Sequence, residues 1–285
     1  MEDGRKSAAI TGQALVTETG VWAALQIYIV QLASIVFFVG LSPIYYLNRY
    51  DLLRLKKKMK NPFYTSKFVR FMYKHPIIYE IELLLQNFPK PSRVFDVLPE
   101  MSGEVLQVGC GPGLLNKYYR NNTNIHFTNL DVNLPSLKLG KRMGRFDSYV
   151  HADICKAPFP DESFDVVLFA RCFHHIRRTR KALEESLRVL KAGGIVIVAD
   201  PVSIQKTSAD EKMTGAYMIN SSIDGVVWKF TIESLKEHIL QNMPDGLVLE
   251  SVIEKRLIHM TNYNFKYPNT DVVMILRKRE GHDES

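Results

Sequence analysis

Short apolar runs separated by helical or polar stretches dominate the chain beyond residue 60. Those with the length and composition of β-strands are 104–108, 125–130, 148–151, 165–169, 195–199, 247–255 and 271–278. Strands that alternate with helices indicate βαβ units and a mostly parallel sheet. No helix fits between the last two runs, so they are predicted to pair antiparallel. The pattern predicts an α/β fold: a Rossmann-like seven-stranded, mostly parallel sheet with an antiparallel C-terminal strand and helices on both faces.

A stretch without any charged side chain spans residues 21–47. As a helix its 27 residues would be about 40 Å long, which exceeds the roughly 30 Å hydrocarbon core of a bilayer. Trp22 lies at one end and Tyr45 and Tyr46 lie at the other, where such rings favour the headgroup level. The length and flanks do not fit a cleaved signal peptide. We therefore predict a transmembrane helix; the alternative is an apolar helix buried in an oligomer interface or against the main domain.

The positive charge of the chain is concentrated directly after this segment. Residues 49–74 contain nine basic side chains and one acidic side chain, a net charge of +8, whereas the whole chain carries +7. By the positive-inside rule, this excess places everything after residue 48 in the cytosol. The bases also attract anionic lipid headgroups. One local patch is not a basic surface spread over the fold, so we predict membrane association and no nucleic-acid partner.

Composition supports one folded domain with additional segments. The chain has 285 residues, of which 46% are hydrophobic and 24% are charged, which excludes disordered, collagen-like and coiled-coil proteins. Its three cysteines form no C-x-x-C pair, so neither a disulfide framework nor a metal site is predicted. The predicted organisation is a tail at 1–20, the hydrophobic helix at 21–47, a basic juxtamembrane linker at 48–75, the main domain at 76–279 and a tail at 280–285.

The clearest sign of a binding site is a glycine-rich turn directly after the first predicted strand. The turn consists of Gly109, Cys110, Gly111, Pro112 and Gly113. Glycines let the backbone leave a strand tightly and approach a ligand closely. The dinucleotide fingerprint requires a further glycine or alanine at 114 or 116, and these positions hold Leu114 and Asn116. The turn therefore indicates a nucleotide site whose spacing does not fit NAD.

A carboxylate ends the second predicted strand. Asp131 lies 18 residues past Gly113 and is followed by Val132. In Rossmann sheets an acid about 20 positions after the glycine turn accepts hydrogen bonds from ribose hydroxyls. The alternative is a helix cap or turn residue. The shared register with the glycine turn favours the ribose role, and we predict that Asp131 and Val132 contact the cofactor.

Four motifs occur in order between residues 104 and 200: LQVGCGPG, NLDVN, HADICKAPFPDESFDVVLFARCFHHI and LRVLKAGGIVIVAD. Together they resemble the class I S-adenosylmethionine-dependent methyltransferases, particularly the type 11 branch that includes ubiquinone and menaquinone biosynthesis methyltransferases. The resemblance implies S-adenosyl-L-methionine as the cofactor. The contacts that it implies are Gly109, Gly111 and Gly113 beneath the methionine part, Asp131 at the ribose, and Asp153 with Ile154 beside the adenine.

One position departs from the family pattern. The family usually has an acidic residue two positions before the first glycine, where this chain has Gln107. In the family that acid helps to position the ammonium group of the cofactor. The amide oxygen of Gln107 still accepts a hydrogen bond. We therefore expect Gln107 to take part in cofactor binding, with less charge complementarity.

Adjacent histidines follow the fourth predicted strand. Ligands bind outside the carboxyl ends of the strands in an open α/β sheet, so residues 171–176 should face the cofactor and the acceptor. For this reason we predict that Arg171 contacts the cofactor. Histidine can remove a proton from a hydroxyl or amine near neutral pH. His174 is therefore predicted as the general base, with His175 as the second candidate; the alternative is that they cap the next helix or pack on the cofactor.

A polar stretch at 201–230 is too long for an ordinary loop and predicts a lid or binding loop. Its side chains Met213, Tyr217, Met218 and Trp228 offer either an apolar acceptor surface or the core contacts of a short helix. The predicted function is transfer of a methyl group to a small lipophilic acceptor such as a quinone, lipid, sterol or prenylated product. The alternatives are a non-catalytic cofactor-binding or assembly protein and an atypical NAD(P)-dependent oxidoreductase. A homo-oligomer is compatible with the predicted function and with both alternatives.

Overall fold

A computed structural model describes residues 71, 74–78, 98–203, 217–219, 226–228, 230–255 and 269–280. The described strands are β1 (Gly103–Val108), β2 (Ile125–Asp131), β3 (Val150–His151), β4 (Phe164–Ala170), β5 (Leu190–Ser203), β6 (Tyr217–Ile219), β7 (Val226–Trp228), β8 (Leu247–Lys255) and β9 (Asn269–Lys278). The described helices are α1 (Leu114–Tyr118), α2 (Leu134–Arg142), α3 (Thr179–Val189) and α4 (Ile232–Asn242), with short 3₁₀ turns at Ile154–Lys156 and Phe173–His175.

Seven of these strands form one sheet in the order β3-β2-β1-β4-β5-β9-β8. The first five strands along the chain pair in parallel, and β9 runs antiparallel between β5 and β8. The short strands β6 and β7 form a separate antiparallel pair. The predicted Rossmann-like sheet and its antiparallel C-terminal end are therefore confirmed. This strand order brings the carboxyl ends of β1, β2, β4 and β5 to one edge, where ligands bind in such sheets.

Apolar side chains on both faces hold the sheet between helices. Leu106, Val167 and Val198 belong to one apolar layer, which also contains the buried faces of α3 and α4. Val105 and Leu168 point to the opposite face and pack with Leu115 of α1. Successive strand residues point to opposite faces, and parallel strands covered on both sides are apolar at nearly every position. This explains why β4 appears in the sequence as an almost continuous hydrophobic run.

The strand boundaries differ from the predicted ones where neighbouring strands decide them. β5 was predicted at 195–199 but spans Leu190–Ser203: it pairs with β9 as far as Ser203, and at its start Leu190 pairs with Phe164 of β4. β3 was predicted at 148–151 but consists only of Val150 and His151, which pair with Leu130 and Asp131. The strand predicted at 247–255 matches β8 in full. Pairing partners therefore lengthen or shorten strands whose cores were predicted correctly.

Several predictions concern parts of the chain outside the described residues. These parts include the apolar segment 21–47 and most of the basic linker 48–75. Met213 also lies outside, and only the backbone is described for Tyr217, Met218 and Trp228. Within the part of the chain that the structure describes, no helix has the length and apolar character needed to span a bilayer. The membrane segment therefore stays a prediction from sequence.

A partly buried histidine makes the stability of the domain sensitive to acid. The ring of His238 on α4 lies 5.1 Å from that of Phe230, and Nε2 is 2.9 Å from Oγ1 of Thr179. Burial lowers the pKa of His238 below its ordinary value. The unfolded chain therefore binds this proton more tightly than the folded chain does. As a result, the free energy of unfolding should fall as the pH drops below about 6.5.

Urea unfolding of the full chain between about pH 5 and pH 8 tests this expectation. The loss of stability toward acid should be smaller in His238→Gln than in the native chain. His126→Gln is the matched control, because the His126 side chain is 67% exposed, and its loss of stability toward acid should be no smaller than that of the native chain. Equal pH dependence in His238→Gln and the native chain would contradict the assignment.

Candidate functional site

The loop after β1 has three glycines in the left-handed conformation. Gly109, Gly111 and Gly113 have φ angles of 65°, 53° and 77°, which strain any residue with a Cβ. A Cβ at Gly109 would lie 2.6 Å from Cβ of Cys172, and one at Gly113 would lie 2.6 Å from Cε1 of Phe146. At Gly111 no atom lies within 4 Å of that position. The loop is therefore packed tightly at its two ends and open at its middle glycine, as close approach of a cofactor to the backbone requires.

Asp131 joins the end of β2 to this loop. Its Oδ2 accepts the N–H of Gly111 at 2.7 Å, and its Oδ1 accepts the N–H of Asn133 at 2.7 Å. Burial raises the pKa of Asp131, and the backbone donors partly oppose that rise. Each carboxylate oxygen can accept more than one hydrogen bond. The group therefore has capacity for ribose hydroxyls, and the neighbouring side chain of Val132 is exposed beside it.

Two buried amides occupy matching positions on β1 and β2. Gln107 pairs in register with Asn129, so the two side chains share one face of the sheet. Among the described residues, neither Oε1 of Gln107 nor Oδ1 of Asn129 has a hydrogen-bond partner. A buried carbonyl oxygen without a donor is destabilising. The site therefore fits a bound molecule that supplies a donor to Gln107, and cofactor binding by Gln107 stays a prediction.

The predicted adenine-side residues form a turn held by local contacts. Oδ1 of Asp153 accepts the N–H of Cys155 at 2.9 Å, which caps the 3₁₀ turn. Oδ2 of Asp153 accepts a hydrogen bond from Nη2 of Arg178 at 2.8 Å. Ile154 is buried in the apolar layer beneath α3. These contacts fix the shape of the turn, and adenine binding by Asp153 and Ile154 stays a prediction.

The end of β5 supplies a carboxylate that sequence reasoning missed. Asp200 is fully buried, and its Oδ2 accepts the backbone N–H of His174 at 2.7 Å. Its Oδ1 lies 3.1 Å from Nδ1 of His174, whose side chain is only 12% exposed. A carboxylate bound at Nδ1 fixes the tautomer in which Nε2 is the base, and it stabilises the imidazolium that forms. The pair can therefore take a proton from a hydroxyl placed at Nε2.

His175 is less suited to this role. Its ring lies 4.2 Å from the ring of His174. Burial lowers the pKa of His175 well below its ordinary value, and His174 adds to this effect. A ring that resists protonation is a poor proton acceptor. Because the buried carboxylate of Asp200 binds His174, the geometry favours His174 over His175 as the base.

The cysteines of the site are packed thiols. Sγ of Cys172 donates to the carbonyl oxygen of Val108 at 3.0 Å, and burial raises the pKa of Cys172 well above its ordinary value. Burial also raises the pKa of Cys110, and that of Cys155 to about 12. Nucleophilic cysteines require a lowered pKa. Cys172 therefore has a packing role.

Arg171 turns toward the C-terminal strand of the sheet. Its Nη2 lies 3.3 Å and 3.4 Å from the two carboxylate oxygens of Asp271 at the start of β9. From the sequence, Arg171 was predicted to contact the cofactor, and no role was predicted for Asp271. The only sequence signal for Asp271 and Asp200 was that each acid stands at the end of an apolar run that reaches the ligand edge.

Part of the predicted binding loop lies beside the histidines. The backbone of β7, which belongs to the stretch 201–230, lies against the turn Phe173–His175. Because β6 pairs with β7, the hairpin extends from this contact. The arrangement brings the predicted acceptor-binding stretch next to the His174–Asp200 pair.

Comparisons with known proteins agree with this geometry. Residues 106–198 match the family described as a methyltransferase domain. The chain is 34% identical over 108 residues to a demethylmenaquinone methyltransferase of Renibacterium salmoninarum, covering 38% of this chain and 45% of the relative. It is 38% identical over 100 residues to a phthiotriol/phenolphthiotriol dimycocerosates methyltransferase of Mycobacterium tuberculosis, covering 34% of this chain and 37% of the relative. The chain thus spans less than half the length of these curated relatives.

The fold has a matching solved structure. A S-adenosylmethionine-dependent methyltransferase from Methanosarcina mazei superposes with a TM-score of 0.51 at 15% identity, covering 67% of this chain and 99% of that one. At this identity the likeness concerns the fold alone. The open glycine loop, the carboxylate at the end of β2 and the unpartnered amide oxygen of Gln107 fit the cofactor that this family uses. Residues 106–198 are therefore similar to a methyltransferase domain, and the site that they form fits S-adenosylmethionine.

Proposed function

We propose that this chain transfers a methyl group from S-adenosylmethionine to a hydroxyl-bearing lipophilic small molecule, with His174 as the general base. The observation that carries the proposal is the His174–Asp200 pair. It lies at the same sheet edge as the glycine loop and Asp131. A base held by a buried carboxylate at the ligand edge suits an acceptor that must lose a proton.

The residues of the site have two proposed roles, which are to bind the cofactor and to remove a proton from the acceptor. S-adenosylmethionine supplies a methyl group on a sulfonium, and S-adenosylhomocysteine leaves when the new bond to the acceptor forms. Asp131 and the glycine loop orient the cofactor, and orientation alone can supply several of the roughly 7–11 kcal/mol available from well-placed reactants. His174 takes the proton of the acceptor hydroxyl, and Asp200 stabilises the resulting positive ring. The transfer therefore balances as one methyl group gained and one proton lost by the acceptor.

The class of acceptor is inferred from two further observations. The relatives are named for demethylmenaquinone and for phthiotriol or phenolphthiotriol dimycocerosates, which are lipophilic molecules. In this chain the apolar segment 21–47 and the +8 charge of residues 49–74 favour attachment to a membrane surface with anionic lipid. We therefore propose an acceptor dissolved in the membrane, a quinol in the first instance, and a domain held at the cytosolic face.

Methyl transfer by the full chain in lipid nanodiscs tests the proposal. The chain is incubated with S-adenosylmethionine and chemically reduced demethylmenaquinone, and products are measured by mass spectrometry. The expected result is a methylated quinol and an equal amount of S-adenosylhomocysteine. A water-soluble hydroquinone without the prenyl chain is the matched control and should react more slowly. Cofactor binding without turnover on either acceptor would favour a non-catalytic protein, and binding of NAD in its place would favour an oxidoreductase.

A further inference from the structure

Two buried aspartates at the ligand edge are bound by one short segment. Asp200 on β5 and Asp271 on β9 have no solvent exposure. Residues 171–174, which follow β4, contact both of them. His174 binds Asp200 through its backbone N–H and its ring, and Arg171 binds Asp271 through its guanidinium. The segment that carries the proposed base is therefore fixed by hydrogen bonds to Asp200 and by an ion pair with Asp271.

The two aspartates lie on opposite faces of the sheet. Asp200 pairs in register with Val272, which belongs to the apolar layer that contains α3 and α4. Asp271 precedes Val272 on β9, so its side chain points to the other face. Residues 171–174 consequently hold the edge formed by β5 and β9 from both sides. An anchor on each face restricts the segment more than two anchors on one face would.

The backbone of Arg171 is strained. Its φ of 57° lies in the left-handed region, which is uncommon for a residue with a long side chain. Its N–H donates to the carbonyl oxygen of Ala199 at 2.7 Å, which adds one hydrogen bond between the segment and β5. Strained conformations persist where the surrounding contacts determine them, and they concentrate at functional sites. The ion pair with Asp271 is such a contact.

We propose that Asp271 is a positioning residue for methyl transfer: by anchoring Arg171 in its left-handed conformation, it fixes His174 against Asp200. The inference rests on the proposed function, since it takes His174 as the base. In this role the guanidinium of Arg171 binds Asp271 at the ligand edge of the sheet. Without the anchor the segment can relax at Arg171, and the ring of His174 moves relative to the acceptor.

The test uses the full chain with ¹⁵N-labelled histidine and the variant Asp271→Asn. The ring signals of His174, identified by their loss in His174→Gln, report the tautomer and the hydrogen bond at Nδ1. In Asp271→Asn we expect these signals to change, the Kd for S-adenosylmethionine to stay the same, and kcat to fall by about 10- to 100-fold, as expected for a misplaced reacting group. Asp271→Glu, which keeps the charge, should restore part of the rate.

The control is Glu250→Gln, which breaks the ion pair with Arg277 at the opposite end of β9 and should leave all readouts unchanged. Unchanged His174 signals in folded Asp271→Asn would overturn the proposal, as would lost cofactor affinity with native ring signals. If Asp271→Asn fails to fold, the double variant Arg171→Gly with Asp271→Asn replaces it, because glycine tolerates the left-handed backbone and no buried charge is left unpaired. If the native chain methylates no acceptor, the proposed function fails. The ring signals then still show whether Asp271 fixes His174 against Asp200.

Discussion

Replacing His174 with glutamine is expected to lower kcat for methyl transfer by about 10²- to 10⁴-fold, the usual contribution of a positioned general base. The ring is held by Asp200 at 3.1 Å, and glutamine cannot take the proton that the acceptor loses. The Kd for S-adenosylmethionine should stay near the native value, because we expect the glycine loop and Asp131 to hold the cofactor. Steady-state kinetics with reduced demethylmenaquinone and calorimetry with the cofactor measure the two quantities separately.

The control for this prediction is the neighbouring histidine. His175→Gln should lower kcat much less than His174→Gln, since the buried carboxylate binds His174. Asp200→Asn should also slow turnover, because the amide does not stabilise a positively charged ring as a carboxylate does. Equal rates in His174→Gln and the native chain would show that the acceptor needs no base at this position. A larger loss in His175→Gln would reverse the assignment of the two histidines.

Replacing Asp131 with alanine is expected to weaken S-adenosylmethionine binding by about 10²- to 10⁴-fold. This loss is what two hydrogen bonds from the ribose to a charged group contribute, at about 1.5–3 kcal/mol each. The variant also removes the acceptor for the N–H of Gly111, so the loop loses the contact that shapes it. Calorimetric titration with S-adenosylmethionine and S-adenosylhomocysteine should show the same loss for both, since the two share the ribose.

The matched control for Asp131→Ala is Asp165→Asn. Asp165 also accepts a backbone N–H, that of Glu104 at 2.8 Å, and it binds Lys191, but it lies at the opposite edge of the sheet. This variant should bind the cofactor like the native chain. Native affinity in Asp131→Ala would place the ribose elsewhere. Equal losses in both variants would point to a general effect on the fold.

Most of the fold was predictable because local pattern and pairing agree. β4 is apolar at all but one position, and the structure extends each of the predicted strands β1, β2 and β4 by no more than two residues. β5 was predicted too short at its C-terminal end, since the extension to Ser203 follows from the ladder with β9, whose residues are more than 65 positions away in the chain. Such long-range pairing has no local signal. The glycine loop, in contrast, was identified from adjacent residues alone.

The site was predictable only in part for the same reason. The glycines, Asp131 and His174 stand at or shortly after the carboxyl ends of strands, which is where an open α/β sheet places ligand-binding residues. The partner of His174 lies 26 residues further on, and that of Arg171 lies 100 residues further on. Burial of Asp200 and Asp271 depends on strands that meet only in the folded chain. A sequence pattern indicates which residues reach the ligand edge, but not which of them pair there.

The close packing of Gly109 and Cys172 has a consequence for engineering the acceptor site. With only 2.6 Å between a Cβ at 109 and that of Cys172, the two positions restrict each other's choice of residue. A mutant library of the acceptor site should therefore keep Gly109, because any side chain there would meet Cys172 and shift the glycine loop.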